Sequence, residues 1–289
     1  MSTAGLKPKA TVTIQLSGGL GNQLFQYAAA RSLAIDRDAE LLLDISFFDR
    51  RRHREFELSQ FSVAGRCVGS VSRFRWVRSL QKFLQHAVGV SPARYVETEY
   101  RYSSLLMSMA LPAVLVGYFQ SYKYFEKHAD VLAAELIPPE PHDLESRDLL
   151  KILEAEDSIS VHVRRGDYIT NAKAKAIFCE CSAEYYRAAL KKLPKNAPVV
   201  VFSDDIQWAK NNLRLGENAC FAGERGPRSG LADFSLMTRA CHHVIANSTF
   251  SWWGAWLSGG KGLTVSPKEW FISSDSRSID LIPPHWLKV

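Results

Sequence analysis

The chain has 289 residues, 46% hydrophobic and 23% charged, with 36 Lys and Arg against 30 Asp and Glu for a formal charge of +6. That composition excludes a disordered tail, a collagen-like chain and a small disulfide scaffold, and the length suits about two domains of ~150 residues. The mild basic excess fits an anionic ligand or surface without demanding one.

Thr11 to Leu16 (TVTIQL) reads as the first strand, and a glycine-rich turn follows from Ser17 to Gly21. Asn22 to Ile35 reads as a helix, with Leu24, Tyr27, Ala28 and Leu33 at helical spacing. Leu41 to Leu43 is a second strand, and residues 50–90 are basic, aromatic and without a clear period. Ala113 to Tyr118 reads as a strand and Tyr122 to Leu136 as a helix. Ile137 to Asp143 (IPPEPHD) holds three prolines in seven residues, the best linker in the chain. A second alternating set comes next: helix 144–154, strand 158–163, helix 183–193, strand 198–202, helix 205–213, helix 231–241, strand 243–246, helix 250–257 and strand 263–265. Strand and helix alternation predicts an α/β chain with two Rossmann-like lobes facing a cleft, residues 1–140 and 141–289.

The five cysteines, Cys67, Cys179, Cys181, Cys220 and Cys241, are odd in number and scattered, as free thiols in a reducing compartment would be. Cys179 and Cys181 have no second pair to complete a zinc site. The N-terminal residues lack a signal-peptide core, and the apolar run Leu105 to Phe119 is broken by Ser108, Pro112 and Gly117. A cytoplasmic chain, or one lying peripherally on the inner membrane, is expected.

Open α/β sheets bind ligands beyond the carboxyl ends of their strands, so the residues after each strand are diagnostic. SGGLGNQ (Ser17 to Gln23) places Gly18, Gly19 and Gly21 before a helix whose amides favour an anion. It is not a dinucleotide fingerprint, since Leu24 stands where the third glycine would be, nor a P-loop. A tight connection and a ligand loop are both consistent with it. VHVRRGDY (Val161 to Tyr168) puts Ser160, His162 and Arg164 on one strand face. Arg164 and Arg165 beside Asp167 either form internal ion pairs or grip a phosphate with a guanidinium fork. His162 is either a core ring or a ligand contact. In FSDD, Ser203 or Asp204 caps a helix, or Asp204 and Asp205 accept from guanine or a ribose diol. NSTFSWW offers Asn247, Ser248, Thr249, Phe250 and Ser251 at a helix start that caps itself or binds phosphate. Trp252 and Trp256 share a helical face and read as core. Together these groups describe a cleft for a nucleotide diphosphate-sugar.

The stretches GGLGNQLFQYAAARSLA (18–34), HVRRGDY (162–168), FSDDIQW (202–208) and NSTFSWWGAWLS (247–258) resemble the alpha-1,2-fucosyltransferase family, glycosyltransferase family 11, of bacterial type. The resemblance implies a GT-B type fold, GDP-fucose as donor and inversion at the fucose anomeric carbon. It also implies a galactose-containing acceptor glycan, lipid-linked forms included, and no nucleic-acid partner. On that reading Arg164 stabilises the departing β-phosphate, helped by Arg165, Ser248, Thr249 and both helix starts, while Asn22 and Gln23 orient donor or acceptor. No metal and no cofactor are expected, and the D-x-D of Asp36 and Asp38 reads as solvated charge. The catalytic base is not visible; Asp44, Asp49, His53 and Glu55 qualify by position alone. Residues 45–110 are expected to shape the acceptor groove. Two rivals stand beside this reading. One is a metal-dependent GT-A type transferase using FSDD. The other is a basic nucleic-acid-binding protein using the Arg50–Arg54 cluster, for which no recognised binding signature is present.

Overall fold

The computed structural model describes residues 9–50, 54–69, 91–166, 169, 171–216, 218–272 and 280–289. Asp167, His53 and most of the Arg50–Arg54 cluster lie outside them. The chain divides into two compact units, Met1–Glu135 and Leu136–Val289. Both are α/β, each built on a parallel sheet of Rossmann-like kind.

The first unit has strands β1 (Thr11–Gln15), β2 (Glu40–Asp44), β3 (Arg66–Val68), β4 (Ala93–Val96) and β5 (Ala113–Val116), in the order β3-β2-β1-β5-β4. Helix α1 (Leu20–Asp36) follows β1 and is buried on almost every side, with Leu24, Phe25, Tyr27 and Ala28 fully enclosed. Its alanines let neighbours approach closely, which explains a weak polar face in an interior helix. It starts two residues earlier than expected because Gly19, in extended conformation, serves as the N-cap.

The expected helix 122–136 is a correction. Tyr122–Tyr124 and Glu126–His128 are 3-10 turns, and only α2 (Ala129–Glu135) is α-helical. Phe125, at φ −136°, breaks the helical path. The Tyr124 hydroxyl, tied to Arg101 O and Ser103 N, holds that turn against the 101–103 segment.

The second unit opens with helix α3 (Leu144–Leu153) and has strands β6 (Ile159–Val163), β7 (Val199–Ser203), β8 (Ala219–Phe221), β9 (His242–Val244), β10 (Thr264–Ser266) and β11 (Leu287–Lys288). Their order is β11-β10-β9-β6-β7-β8. Helices α4 (Ala183–Leu190), α5 (Ile206–Leu213), α6 (Gly230–Met237) and α7 (Thr249–Trp256) connect them. Every residue of β6 is buried, as a central strand covered on both faces must be. Val161, Val163, Val199 and Val201 pack one face, with Ala189 and Ala209 of α4 and α5; Val200 and Phe202 pack the other, with Leu149 and Leu236 of α3 and α6. The helices expected over 183–193 and 231–241 stop at Leu190 and Met237. Thr238 follows the latter as its C-cap, with its hydroxyl on Ser235 O. Trp252 is fully buried in the core, as expected, and stacks at 6.4 Å on Trp256, which is only half-buried.

Both sheets reverse direction beside their first strand. In the second unit the chain runs from β6 out to β7 and β8, then returns to lay β9 on the other side of β6. In the first unit β2 flanks β1 on one side and β5 on the other. Such reversals open a crevice at the strand ends, where α/β ligands bind. They single out the loops after β6 and β9, and those after β1 and β5.

Candidate functional site

The loop after β6 carries the two arginines, and the structure gives them different environments. Asp204, from the end of β7, organises the loop: its Oδ1 accepts from Arg165 N at 2.8 Å and its Oδ2 from Gly166 N at 3.1 Å. A Cβ on Gly166 would stand 2.8 Å from that Oδ2, so the glycine is what lets the carboxylate approach. Arg164 Nη1 lies 3.1 Å from the same oxygen, and its side chain is one-third exposed. Arg165 is turned inward. It pairs with Glu180 and, at 3.5 Å, with Asp205, and its guanidinium lies 4.0 Å above the Trp208 ring. Arg165, expected to assist at the phosphate, is thus a brace built from the protein's own groups.

Asp204 and Asp205 were read as acceptors for a base or ribose; both have partners inside the unit. Asp205, and neither Ser203 nor Asp204, caps α5, accepting from Trp208 N. Ser203 Oγ in turn accepts from Asp205 N, which sets the turn that aims Asp204 at the β6 loop. His162 is 6% exposed, and burial first, then the nearby Arg164 charge, pushes its pKa down to about 3. It is a neutral ring tilted against Phe250 at 5.7 Å, and its buried Nδ1 has no hydrogen-bond partner among the described residues.

The other side of this crevice is the start of α7. Asp143, Ser182, Asp205 and Ser229 cap α3, α4, α5 and α6 with their own side chains. Ser248, at the N-cap of α7, makes no such bond. The helix therefore presents its first amides and the positive end of its dipole without a side-chain acceptor of its own cap. Thr249 and Phe250 are half-exposed there. Asn247 and Ser251 are not ligand-facing. Asn247 is fully buried and donates to Cys179 O at 2.5 Å and Trp270 O at 3.1 Å. The Ser251 hydroxyl turns back to Ser248 O at 3.3 Å.

In the first unit Gly18 sits at φ +81°, and a Cβ there would come within 2.8 Å of Asn22 Nδ2. Gly21 is buried on α1. The half-buried Glu57 carboxyl stands near this helix start. Burial pushes that carboxyl's pKa up, against the pull of the Leu20 amide and Arg54. Gln23, fully buried, is a clip: its Nε2 donates to Gly18 O and Glu55 O, and its Oε1 accepts from Glu57 N. The clip holds Arg54 beside Gly19, whose Cβ position would be 3.3 Å from the guanidinium. Asn22 Oδ1 accepts from Gln120 Nε2 at 3.0 Å, across from the β5 loop.

Among the other acids, Asp44 lies beside the glycine turn, its carbonyl accepting from Leu16 N at 3.0 Å. Asp44 accepts from Ser46 N, Asp36 pairs with Lys127 and His128, and Asp38 pairs with Lys9. Sequence reasoning missed Gln120, Glu180, Trp208 and Glu97. Gln120 obeys the same rule as the rest, falling just after a strand, and could have been found by it.

The profile of Glycosyl transferase family 11 matches residues 93–288, about two-thirds of the chain. The chain belongs to glycosyl transferase family 11. It is 32% identical to an alpha-1,2-colitosyltransferase of Escherichia coli over 96% of this chain and 98% of that one. It is 30% identical to the O-antigen biosynthesis glycosyltransferase WbnK of the same species, covering 92% and 97%. A galactoside alpha-(1,2)-fucosyltransferase 2 of Oryctolagus cuniculus is 25% identical over 86% of this chain and 67% of its own. The family 11 chain is a glycosyltransferase, and none of its described helices is long and apolar enough to cross a membrane.

Proposed function

We propose that the chain transfers L-fucose from GDP-fucose to the 2-hydroxyl of a terminal galactose, with inversion at the anomeric carbon. The bond from fucose C1 to the β-phosphate oxygen breaks as the acceptor oxygen bonds to C1, the acceptor hydroxyl releases its proton to solvent, and GDP leaves carrying the negative charge. The observation that supports this is the pairing of Arg164 with a side-chain-uncapped helix start at the β6/β9 crevice. A guanidinium fork and a helix N-terminus are pre-placed donors for a departing phosphate oxygen. Asp204 supports the reaction by holding the loop, and Arg165 by bracing it. The nucleotide is assigned to the second unit and the acceptor to the first. Because Arg164 and the helix supply the neutralising charge, no metal or cofactor is required. A lipid-linked O-antigen glycan, taken at the inner membrane surface, is the proposed acceptor form, in keeping with the O-antigen relative.

Incubation with lactose, a chelator and GDP-fucose, GDP-mannose or UDP-galactose in turn tests this. Product from GDP-fucose alone is expected. Activity lost to the chelator and restored by manganese would favour the metal-dependent alternative. A second reading comes from the colitosyltransferase relative: colitose is fucose without its 3-hydroxyl, so GDP-colitose belongs in the panel. A site that hydrogen-bonds that hydroxyl discriminates strongly against the deoxy donor, whereas an apolar one barely distinguishes them.

A further inference from the structure

The crevice of the first unit, between β1 and β5, holds a carboxylate that the scheme above leaves without a task. Glu97 follows β4, the strand beside β5. Its Oε2 accepts from Tyr118 N at 2.7 Å and from Phe119 N at 3.0 Å. These amides belong to a turn of unusual backbone, with Gly117 at φ +157° and Phe119 at φ +54°. A non-glycine residue in the left-handed region needs a surrounding that enforces it. Gly117 is required by the same contact, since a Cβ there would stand 2.4 Å from Glu97 Cβ. The turn is then stitched to the glycine turn at two points. Gln26 Nε2 donates to Gly117 O at 2.9 Å while its Oε1 accepts from Ser17 N, and Gln120 Nε2 donates to Asn22 Oδ1.

We infer that Glu97 is a positioning residue for the acceptor: it sets the 117–120 turn and, through Gln120, the carboxamide of Asn22. This rests on the assignment of the acceptor to the first unit. The surroundings have the chemistry of a hexose site. Two carboxamides meet at the strand ends, and Tyr118, two residues before Gln120, stacks on Tyr100 at 6.5 Å. Glu97 does not itself touch the sugar, because its Oε1 is buried and has no hydrogen-bond partner among the described residues.

The test uses the full chain with Glu97→Ala, Glu97→Asp and Glu97→Gln. The readouts are steady-state constants for the galactoside and for GDP-fucose, calorimetric GDP affinity, and hydrogen exchange at Tyr118 and Phe119. Loss of both bonds to the carboxylate predicts an acceptor KM raised about tenfold or more in the Ala and Asp variants. GDP affinity stays at the wild-type value and both amides lose protection. Gln, which keeps one acceptor oxygen at full reach, recovers much of the loss. Gln120→Ala should raise acceptor KM similarly, and its effect should not add to that of Glu97→Ala. An unchanged acceptor KM, an Asp variant equal to wild type, additive effects, or a parallel loss of GDP affinity would each overturn the inference. A wild-type chain inactive on every galactoside sinks the functional reading instead. The exchange data, and glycan binding by the same variants measured by saturation-transfer NMR, then decide the role of Glu97.

Discussion

Exchanging each arginine of the β6 loop for lysine separates the two roles the structure gives them. In Arg164→Lys the charge stays and the fork is lost. The ion pair it leaves behind is one-third exposed on the arginine side, and pairs of that kind contribute only ~0.2–1 kcal/mol to stability. Folding should therefore change little. Turnover should fall ~100-fold, about 2.7 kcal/mol of barrier, as when one donor to a developing oxyanion is removed. Arg165→Lys should do the opposite. Its guanidinium is 13% exposed, paired with Glu180 and Asp205 and stacked on Trp208. Losing the planar stack and the fork costs ~1–2 kcal/mol of stability for a desolvated cation–π contact, with a smaller effect on turnover. Urea denaturation and kcat at saturating acceptor, measured on both variants, check the contrast. An Arg164→Lys chain turning over within about fivefold of wild type, less than half of the expected barrier change, would remove Arg164 from the chemistry.

Asp204→Asn offers one acceptor oxygen in place of two to Arg165 N and Gly166 N, so the GDP dissociation constant should rise ~10–100-fold. Titration calorimetry reads it, and undiminished affinity would mean the loop needs no such anchor. Gly18→Ala adds a side chain at φ +81° against Asn22 and should lower unfolding free energy by at least ~1–2 kcal/mol, measured in urea. His162 and His243 are each pushed down to about 3, by burial first, from an ordinary 6.5. The unfolded chain binds protons there that the folded chain refuses. Stability is thus complete above 6.5 and falls as pH drops toward 3, by up to ~1.4 kcal/mol per pH unit for each ring. Denaturation at about pH 7.5, 5.5 and 4.5 follows it, and a level profile down to about pH 5 would contradict the burial.

The alternation of elements was legible because β-branched runs such as Val199–Phe202 and the turn signals around them leave little choice. The short strands β3, β4, β8 and β11 were not, since two to four exposed or half-exposed residues such as Arg66–Val68 are too few to show a period. The site was legible in outline: the residues after β1, β6, β7 and β9 were singled out by the strand-end rule alone. What the sequence could not divide was the work among neighbours. Arg164 and Arg165 are adjacent and chemically alike, and only the positions of Glu180 and Trp208 turn one inward. Asp205 takes the cap expected of Ser203 or Asp204 because the helix begins at Ile206, one residue later than expected. Glu57 lies 37 positions beyond Leu20, and no local pattern announces that the fold brings it near the α1 start.

Asn247 carries a chemical liability. Its carboxamide lies between two carbonyl oxygens drawn from distant parts of the chain, those of Cys179 and Trp270. While folded, the enclosed side chain is shielded from the backbone attack that ages asparagines. Once unfolded it is not, and deamidation would leave a carboxylate that must return to face two lone pairs in a dry interior. Each excursion to the open chain therefore exposes Asn247 to a change that its burial otherwise prevents.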